Sequence, residues 1–282
     1  MNCLNILIRV SRFTFYSLLT LVSLSAVVLT LIIFSVARDL PKLPEPLSRI
    51  IETPKTEIYA ATGERLITLG GREPVPVSRI SPHFINAVLA VEDHMFQEHH
   101  GVNKLRTLKA LYVTLMKPGR IEGASTITQQ LAKNLFFSFE RTYLRKVKEM
   151  LVAFQIEYSC TKEEIIHAYV NQIAFGAGAQ GVEKAAQVFF GKSAALLSLG
   201  EAALLAGLPK SPTNYNPYRH YDRALKRRDV VIRRMKNVGY ITAQQADEEL
   251  AIRPELHTDH ADARTGSYFL DALITELIRL VI

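Results

Sequence analysis

An uncharged, mostly apolar run from Phe13 to Ala37 constrains this chain more than any other feature of its sequence. Its length of about 25 residues allows a helix to cross a hydrocarbon core of about 30 Å with some tilt. Arg9 and Arg12 precede the run, and Arg38 with Asp39 follows it. The positive-inside bias therefore places residues 1–12 in the cytoplasm and the rest of the chain outside.

A cleaved signal peptide is the alternative interpretation of this run. The run is longer than the apolar region of a typical signal peptide, and Ser35-Val36-Ala37 makes only a passable cleavage site. We therefore predict an uncleaved, single-pass signal anchor over residues 13–37.

The formal net charge of +7 indicates an anionic partner. Nucleic acid, a phospholipid surface and a pyrophosphate-bearing substrate all fit the charge, and the apolar run favours the last two. Cys3 and Cys160 would lie on opposite sides of a membrane, so no disulfide is expected. The imidazoles of His94, His99 and His100 lack the spacing of the helical zinc motif HExxH, so we expect no structural metal.

The sequence after the apolar run predicts a spacer, a β-hairpin and a helical domain. Pro41, Pro44 and Pro46 predict a stiff, extended spacer that lifts the following domain off the membrane. Two β-prone runs, 56–59 and 65–69, flank a turn that contains Gly63. Together the spacer and the hairpin occupy 38–70. A helical pattern begins at Pro82, after the cap Ser81, and carries Glu92 and Asp93 at its end; further helical patterns follow over 125–136, 142–157, 162–172, 181–190, 198–206 and 224–238.

We assign residues 71–240 to this mainly α domain and 241–282 to the start of a linker. The segment 268–282 is apolar and would lack cover at the end of the chain. The expectation is that the natural protein continues or that this copy is truncated.

Two adjacent acids, Glu92 and Asp93, meet imidazoles at the end of an apolar helix, in the run EDHMFQEHHG. A carboxylate in such surroundings can take a proton from an attacking hydroxyl. Taken alone, the pair is more often a solvated helix end.

A second group lies in GASTITQQLAKN, where Ser125 can cap a helix. Thr126, Gln130 and Lys133 then share one stripe, which suits a phosphate or a sugar. Ile127, Leu131 and Leu135 form a separate apolar stripe. Taken alone, the polar stripe is more often an ordinary exposed face.

A third group is RKVKE, in which Arg145 and Lys146 lie within one helical turn of Glu149. Two cations beside a carboxylate can hold a leaving pyrophosphate. A surface ion pair is the ordinary alternative. The residues Leu144, Val147, Leu151 and Phe154 are expected on the core side of this helix.

The order of these motifs outweighs the ordinary interpretations. Together with KEEIIHAYVNQIAFGAGAQGVEKAAQVFFGK and EAALLAGLPKSPTNYNP, they resemble the five motifs of family 51 glycosyltransferases, the peptidoglycan polymerases of class A penicillin-binding proteins of the 1A type and of monofunctional enzymes. The resemblance covers about residues 80–239. It implies a lysozyme-like α-helical fold and an inverting transfer from a lipid-linked glycan strand to lipid II, in cell wall synthesis at the outer face of the cytoplasmic membrane.

The resemblance also assigns roles. It implies that Glu92 is the general base and that Glu149 supports departure of the leaving group. A divalent cation, Mg or Mn, with the donor pyrophosphate is a further candidate, with Glu149 as its ligand. No organic cofactor and no nucleic acid are expected, whereas other cell wall synthesis proteins are candidate partners. The implied substrate-binding residues are Asp93, Phe96 and His99 on the acceptor side, Thr126, Gln130, Lys133, Arg145 and Lys146 on the donor side, and Asn171, which supports the site together with Tyr169.

The chain departs from the family pattern at Asn103, Lys109 and His167, where the family usually has Asp, Arg and Glu. Replacing Arg with Lys keeps the charge but removes the bidentate fork, which puts substrate affinity there in question. Ser159-Cys160-Thr161-Lys162 spells the Ser-x-x-Lys of a penicillin-reactive serine, but no partner motif follows it, so we interpret it as coincidence. Residues 223–239 and the stretch near Tyr268 resemble the approach to a transpeptidase domain.

Two alternatives stay open. A lysozyme-like enzyme that cleaves glycan strands would also use a catalytic Glu, although it has no pyrophosphate for Arg145 and Lys146 to hold. A non-catalytic, truncated scaffold is the other, although the acids at Glu92 and Glu149 are intact.

Overall fold

The computed structural model describes residues 3–44, 47, 55–59, 62–70, 74–116, 123–137 and 142–257. Part of the hairpin turn, at Ala60 and Ala61, lies outside the described residues. So does the apolar segment 268–282.

Helix α1 spans Cys3–Arg38. Its window Ser11–Val28 has a mean hydropathy of 1.4 with none of it buried, and no other helix in the described part of the chain is long and apolar enough to cross a membrane. The helix therefore begins before the predicted anchor and ends one residue after it, because nothing in residues 3–12 breaks a helix.

The described part of the spacer after α1 contacts the helical domain, and Pro46 lies outside the described residues. Leu40, Leu43 and Leu47 pack on the core of the domain, and the side chain of Leu47 is only 5% exposed. The prolines at 41 and 44 keep the chain non-helical, as expected, but the leucines between them give the segment apolar surface to bury.

Strands β1 (Lys55–Tyr59) and β2 (Arg65–Gly70) form the predicted antiparallel hairpin, with Ile58 opposite Ile67. Gly63 adopts a positive φ of 84°, which the tight turn requires and which glycine supplies without steric cost. The hairpin is thus confirmed and is one residue longer at each outer end.

The domain itself is mainly α, as predicted. Its helices are α2 (Pro82–Glu92), α3 (Lys104–Met116), α4 (Ile127–Phe136), α5 (Tyr143–Ser159), α6 (Lys162–Gln172), α7 (Val182–Phe190), α8 (Leu199–Gly207), α9 (Pro217–Asn237) and α10 (Ala243–Ala251). A small hairpin, β3 (Ala174–Gly176) with β4 (Ala179–Gln180), separates α6 from α7.

Helix α8 is the centre of the core, and α2, α7, α9 and α10 pack around it. Eight of its nine residues, all except Glu201, are buried. Its small residues allow close approach: a Cβ on Gly207 would lie 2.9 Å from Arg227 Cγ of α9. The helix starts at a capping box in which Ser198 and Glu201 exchange hydrogen bonds, as its sequence favours.

The helices that carry the motifs form a second group, in which α4 packs against both α5 and α6. Helix α4 begins at Ile127 because Thr126 is its N-cap, with a capping box to Gln129, so the prediction of a Ser125 cap was wrong. The Thr126 cap lies one residue later and is completed by Gln129 at the N3 position.

The predicted core face of α5 was wrong at three of its four residues; the fourth, Leu151, is half-buried. Leu144, Val147 and Phe154 are 53%, 38% and 44% exposed. The face that meets α4 instead carries Glu149, Val152, Ala153 and Ile156, all buried. The residues of α5 form two stripes at helical spacing. The stripe that contains Glu149 faces the core, and the stripe that contains Leu144 and Phe154 faces solvent.

Three further differences concern single elements. Helix α3 was not predicted; its apolar residues Leu105, Leu108, Tyr112 and Met116 are exposed, whereas Ala110 is buried. Helix α9 begins at Pro217 rather than Ala224, with a kink at His220. Ser81 does occupy the N-cap position of α2, but its hydroxyl donates to the backbone oxygen of Leu197 instead of capping the helix.

Candidate active site

Glu92 is the last residue of α2, and its side chain is 16% exposed. Its Oε2 accepts a hydrogen bond from Gln130 Nε2 at 2.7 Å. Its Oε1 lies 3.9 Å from a guanidinium nitrogen of Arg227 on α9. Arg106 of α3 donates to the Glu92 backbone oxygen at 2.6 Å, which fixes the end of the helix. The carboxylate is therefore contacted from α4 and α9, while α3 holds the backbone of the same residue.

Asp93 and His99 form a buried pair beside Glu92. His99 Nε2 lies 2.8 Å from Asp93 Oδ2, and the same oxygen accepts a hydrogen bond from the backbone nitrogen of Ile127 at 3.1 Å. Ile127 is the first residue of α4, where the helix dipole favours negative charge. Asp93 therefore joins the end of α2 to the start of α4.

Phe96 is 1% exposed, and its ring lies edge-on to that of His99, with the ring centroids 6.2 Å apart. Both residues belong to the loop that connects α2 to α3. This loop follows Glu92 directly in the chain, and its role on the acceptor side stays a prediction.

The side chain of Gln130 is bonded at both ends. Its Oε1 accepts a hydrogen bond from the hydroxyl of Tyr169 at 3.2 Å, and its Nε2 donates to Glu92. Burial raises the pKa of Tyr169 well above its ordinary value, and the charges of Glu92 and Asp93 add to this effect. The phenol is therefore a stable proton donor that fixes the orientation of the amide.

Thr126 is fully buried. Its hydroxyl donates to the backbone oxygen of Gly101 at 2.6 Å and accepts a hydrogen bond from the backbone nitrogen of Gln129. In this geometry Thr126 ties the start of α4 to the loop that follows α2.

The third motif forms a compact ion cluster on α5. Glu149 is 2% exposed, and its Oε1 lies 3.0 Å from Arg145 Nε, while its Oε2 accepts a hydrogen bond from Lys146 Nζ at 2.9 Å. Lys146 also donates to the hydroxyl of Ser125 at 2.9 Å. The side chain of Lys146 is 43% exposed, so this ammonium can reach a ligand from the cluster.

Helix α4 lies beside both Glu92 and the Glu149 cluster. Gln130 of this helix donates to Glu92 at 2.7 Å. Ser125, two residues before the helix, accepts from Lys146, which also donates to Glu149. Lys133 is on the same helix, and burial lowers its pKa from the ordinary value; the charges of Glu149 and Glu92 act in the opposite direction, and those of Arg145 and Lys146 act in the same direction.

Comparison with known proteins gives the family. The model of the transglycosylase family matches residues 63–236, more than half of the chain. This chain belongs to the transglycosylase family. The mainly α, lysozyme-like fold that the motifs implied is thereby confirmed.

Several known proteins are similar to this transglycosylase. It is 46% identical over 233 residues to penicillin-binding protein 1A of Aquifex aeolicus, covering 81% of this chain and 32% of that protein. It is 47% identical over 194 residues to penicillin-binding protein 1A of Escherichia coli, covering 68% of this chain and 23% of that protein. A crystal structure of penicillin-binding protein 1A from Haemophilus influenzae matches 81% of this chain and 24% of that one, with 25% identity and a TM-score of 0.44. The chain thus spans about a quarter to a third of the length of these relatives.

The structure gives Asn171 a supporting position in the transglycosylase. Its Oδ1 accepts a hydrogen bond from the backbone nitrogen of Val75, and its Nδ2 donates to the backbone oxygens of Val75 and His167. The side chain is 5% exposed. These bonds favour support of the fold rather than direct substrate contact.

The three departures from the family pattern lie in different surroundings. Asn103 directly precedes α3, and its side-chain oxygen accepts a hydrogen bond from the backbone nitrogen of Arg106, so the amide serves as a helix cap. Lys109 is exposed on α3. His167 is half-buried on α6, and burial lowers its pKa, while Glu163 partly offsets that shift.

Two residues at Glu92 were missed from the sequence: Arg106 and Arg227. Both lie in helices that carry several basic residues. The spacing of these residues does not show which guanidinium points inward and which ones are solvated. The Gly207 beside Arg227 was the available signal, since a glycine inside a helix indicates close approach of another group.

The described residues contain no group of three or more His, Cys, Asp or Glu side chains that could hold a metal ion. Glu149 supplies one carboxylate, and both of its oxygens already face cations. Mg²⁺ prefers several oxygen ligands in octahedral geometry. The protein side chains alone therefore do not fit Mg²⁺ or Mn²⁺.

Proposed function

We propose that this transglycosylase polymerises lipid II into β-1,4 glycan strands during bacterial cell wall synthesis, with release of undecaprenyl pyrophosphate. The observation that carries the proposal is that α4 lies beside both carboxylates. Gln130 of α4 donates to Glu92 at 2.7 Å, and Ser125 just before α4 accepts from Lys146, the cation paired with Glu149. One site then holds both a carboxylate that can accept a proton and cations that can receive a departing diphosphate.

The acceptor lipid II binds on the Glu92 side in this proposal. Its sugar hydroxyl attacks the anomeric carbon of the donor, and Glu92 takes the hydroxyl proton as the new glycosidic bond forms. The bond from the anomeric carbon to the pyrophosphate oxygen breaks at the same time, so the transfer inverts the configuration. Gln130 keeps one oxygen of Glu92 occupied at 2.7 Å and leaves the other for the hydroxyl.

The leaving diphosphate carries its negative charge away from the sugar, so it needs charge stabilisation more than it needs a proton. Lys146, Arg145 and Lys133 supply cations around the position that it would take. We propose that a divalent cation, Mg or Mn, would enter together with the diphosphate, which supplies oxygens that Glu149 alone cannot. No step of the mechanism depends on this ion.

A membrane location fits the surface as well as α1. Exposed apolar residues line α3 at Leu105, Leu108, Tyr112 and Met116, and line α5 at Leu144, Val147 and Phe154. Exposed apolar residues at helical spacing, as on each of these two helices, favour contact with lipid or protein, and the net charge of +7 favours an anionic partner. We propose that the domain lies on the outer face of the cytoplasmic membrane, where the lipid tail of the substrate can stay in the bilayer.

Cleavage of finished glycan is the second candidate function, because a helical domain with one catalytic carboxylate also suits hydrolysis. The Arg145–Lys146–Glu149 cluster disfavours it, since a glycan strand offers no diphosphate to bind. A non-catalytic scaffold does not require the hydrogen bond that Gln130 donates to Glu92.

The experiment incubates the purified full chain, in detergent, separately with lipid II and with finished peptidoglycan. We expect polymer from lipid II and no change in peptidoglycan strand length, with Glu92→Gln as the inactive control. Strand shortening without polymer would establish the cleaving enzyme instead. No reaction in either mixture from folded protein would favour the scaffold.

A further inference from the structure

Lys162, the first residue of α6, lies behind the loop that follows Glu92. Its Nζ donates to the backbone oxygen of His99 at 2.6 Å. The same ammonium lies 4.4 Å from the centroid of the Phe96 ring. One side chain therefore contacts both of the loop residues that the motif resemblance assigns to the acceptor side.

Glu157 of α5 is the counter-ion of Lys162. Lys162 Nζ lies 2.7 Å from Glu157 Oε2 and 2.9 Å from Oε1, and Glu157 is only 4% exposed. The hydroxyl of Thr128 on α4 donates to Glu157 Oε1 at 2.5 Å. The ammonium thereby connects α4, α5 and α6 to one point of the loop.

The loop comes close to α5 at the same place. Gly101 has a positive φ of 85°, and a Cβ there would lie 3.0 Å from the backbone oxygen of Ala153 and 3.4 Å from Glu157 Cγ. The loop is therefore in close contact with Ala153 and with Glu157, the counter-ion of Lys162.

His99 is consequently fixed at two points. Its ring is bonded to Asp93, next to Glu92, and its backbone oxygen is bonded to Lys162. A charge-assisted hydrogen bond at a mostly buried position is stronger and shorter than a neutral one, so it limits how far the loop can move.

We propose that Lys162, paired with Glu157, is a positioning residue for glycosyl transfer: it acts through His99 and Phe96 to hold Asp93 and Glu92 in reacting geometry. This inference rests on the proposed function. A loop displaced by about 1 Å can lower a rate by about 100-fold without removing any reacting group.

The test compares the full chain with Lys162→Met, with the double variant Lys162→Met/Glu157→Gln, and with Lys192→Met. Lys192 forms a similar ion pair with Glu201, at 2.9 Å, in another part of the domain. Lys162→Met leaves Glu157 as a buried carboxylate without its cation, which lowers stability. The double variant removes that charge and should recover thermal stability.

We expect kcat for lipid II polymerisation to fall by about 100-fold in Lys162→Met and to stay low in the double variant, with KM changed by less than about threefold. Lys192→Met should keep wild-type kcat. Recovery of kcat together with stability in the double variant, or an equal loss in Lys192→Met, would overturn the proposal in favour of a purely structural ion pair. Wild-type kcat in Lys162→Met would overturn it as well. Absence of polymer from the wild-type chain would instead refute the proposed function and, with it, the role of Lys162.

Discussion

Gln130 donates its amide hydrogen to Glu92 while its amide oxygen accepts from Tyr169. Because the tyrosine hydroxyl faces the amide oxygen, the amide nitrogen must face the carboxylate. The motif assignment gave Gln130 a place on the donor side, but its bond to Glu92 shows that it also orients the proposed base.

Glu92→Gln should abolish polymerisation while the protein stays folded. A general base contributes about 10²–10⁴-fold to a rate, and the amide cannot accept the proton. The measurement is polymer yield from lipid II, with circular dichroism to check folding. Glu98→Gln is the matched control, because Glu98 is an exposed acid in the same loop. Unchanged yield from Glu92→Gln would remove Glu92 as the base.

Tyr169→Phe should lower kcat by about tenfold, because Gln130 could then turn its amide and present an oxygen to Glu92. Tyr158→Phe on the neighbouring helix is the control, since Tyr158 is 94% exposed. Rates that are equal in both variants would show that the amide needs no support from Tyr169.

Lys146→Met should weaken binding of moenomycin, a donor-site ligand of the family, by about tenfold, since a charge-assisted bond to phosphate contributes about 1.5–3 kcal/mol. Binding can be measured by fluorescence titration with a labelled derivative. Lys148→Met, on the same helix but outside the cluster, should bind as the wild type does. Labelled penicillin should not react with either variant or with the wild type, because Ser159 lies at the end of α5 without the partner motifs of a penicillin-reactive site. Wild-type affinity in Lys146→Met would exclude this lysine from the donor site.

The sequence predicted most helices of the domain and the first hairpin. That Glu92 and Glu149 are the carboxylates of the site stays a prediction. Those successes have a common cause: capping residues such as Thr161 and Ser198 act locally, so their positions are readable without tertiary information. The motif resemblance then supplied the roles of Glu92 and Glu149, which spacing alone would have left as a helix end and a surface ion pair.

Tertiary contacts account for what the sequence could not predict. The inward face of α5 carries Glu149, so the face with the larger apolar residues, including Phe154, is the exposed one. Lys162 and Arg227 act on residues far away in the sequence, and the residues next to them in the sequence do not distinguish them from solvated cations. The role of Asn171 in holding Val75, across 96 positions, was equally hidden.

Gly101→Ala should destabilise the domain by about 1–3 kcal/mol, because it combines a strained positive φ with a contact to the Ala153 oxygen. Gly239→Ala separates the two effects, since Gly239 has a φ of 83° and nothing within 4 Å of the added Cβ. Urea unfolding of both variants measures the difference. Equal losses would mean that the contact with α5 contributes nothing.

Acid should destabilise the wild type more than His167→Gln. Burial lowers the folded-state pKa of His167 below its ordinary value of 6.5, whereas the unfolded chain protonates His167 near that value. Below about pH 6.5 the unfolded state therefore binds more protons, and stability falls until the folded pKa is passed. Urea midpoints at pH 7.5 and pH 5.5 should differ less in the variant. An identical pH dependence would show that His167 does not contribute.

The three leucines at 40, 43 and 47, which pack on the helical core directly after α1, have a consequence for how polymer can accumulate. A domain joined to its anchor by a flexible linker could move away from the membrane as its product lengthens. Here Leu40, Leu43 and Leu47 attach the chain that follows the anchor to the domain. On the proposed function, we therefore expect Glu92 to keep a constant height above the lipid headgroups. Each added disaccharide would then displace the enzyme sideways along the bilayer, with the strand laid down behind it.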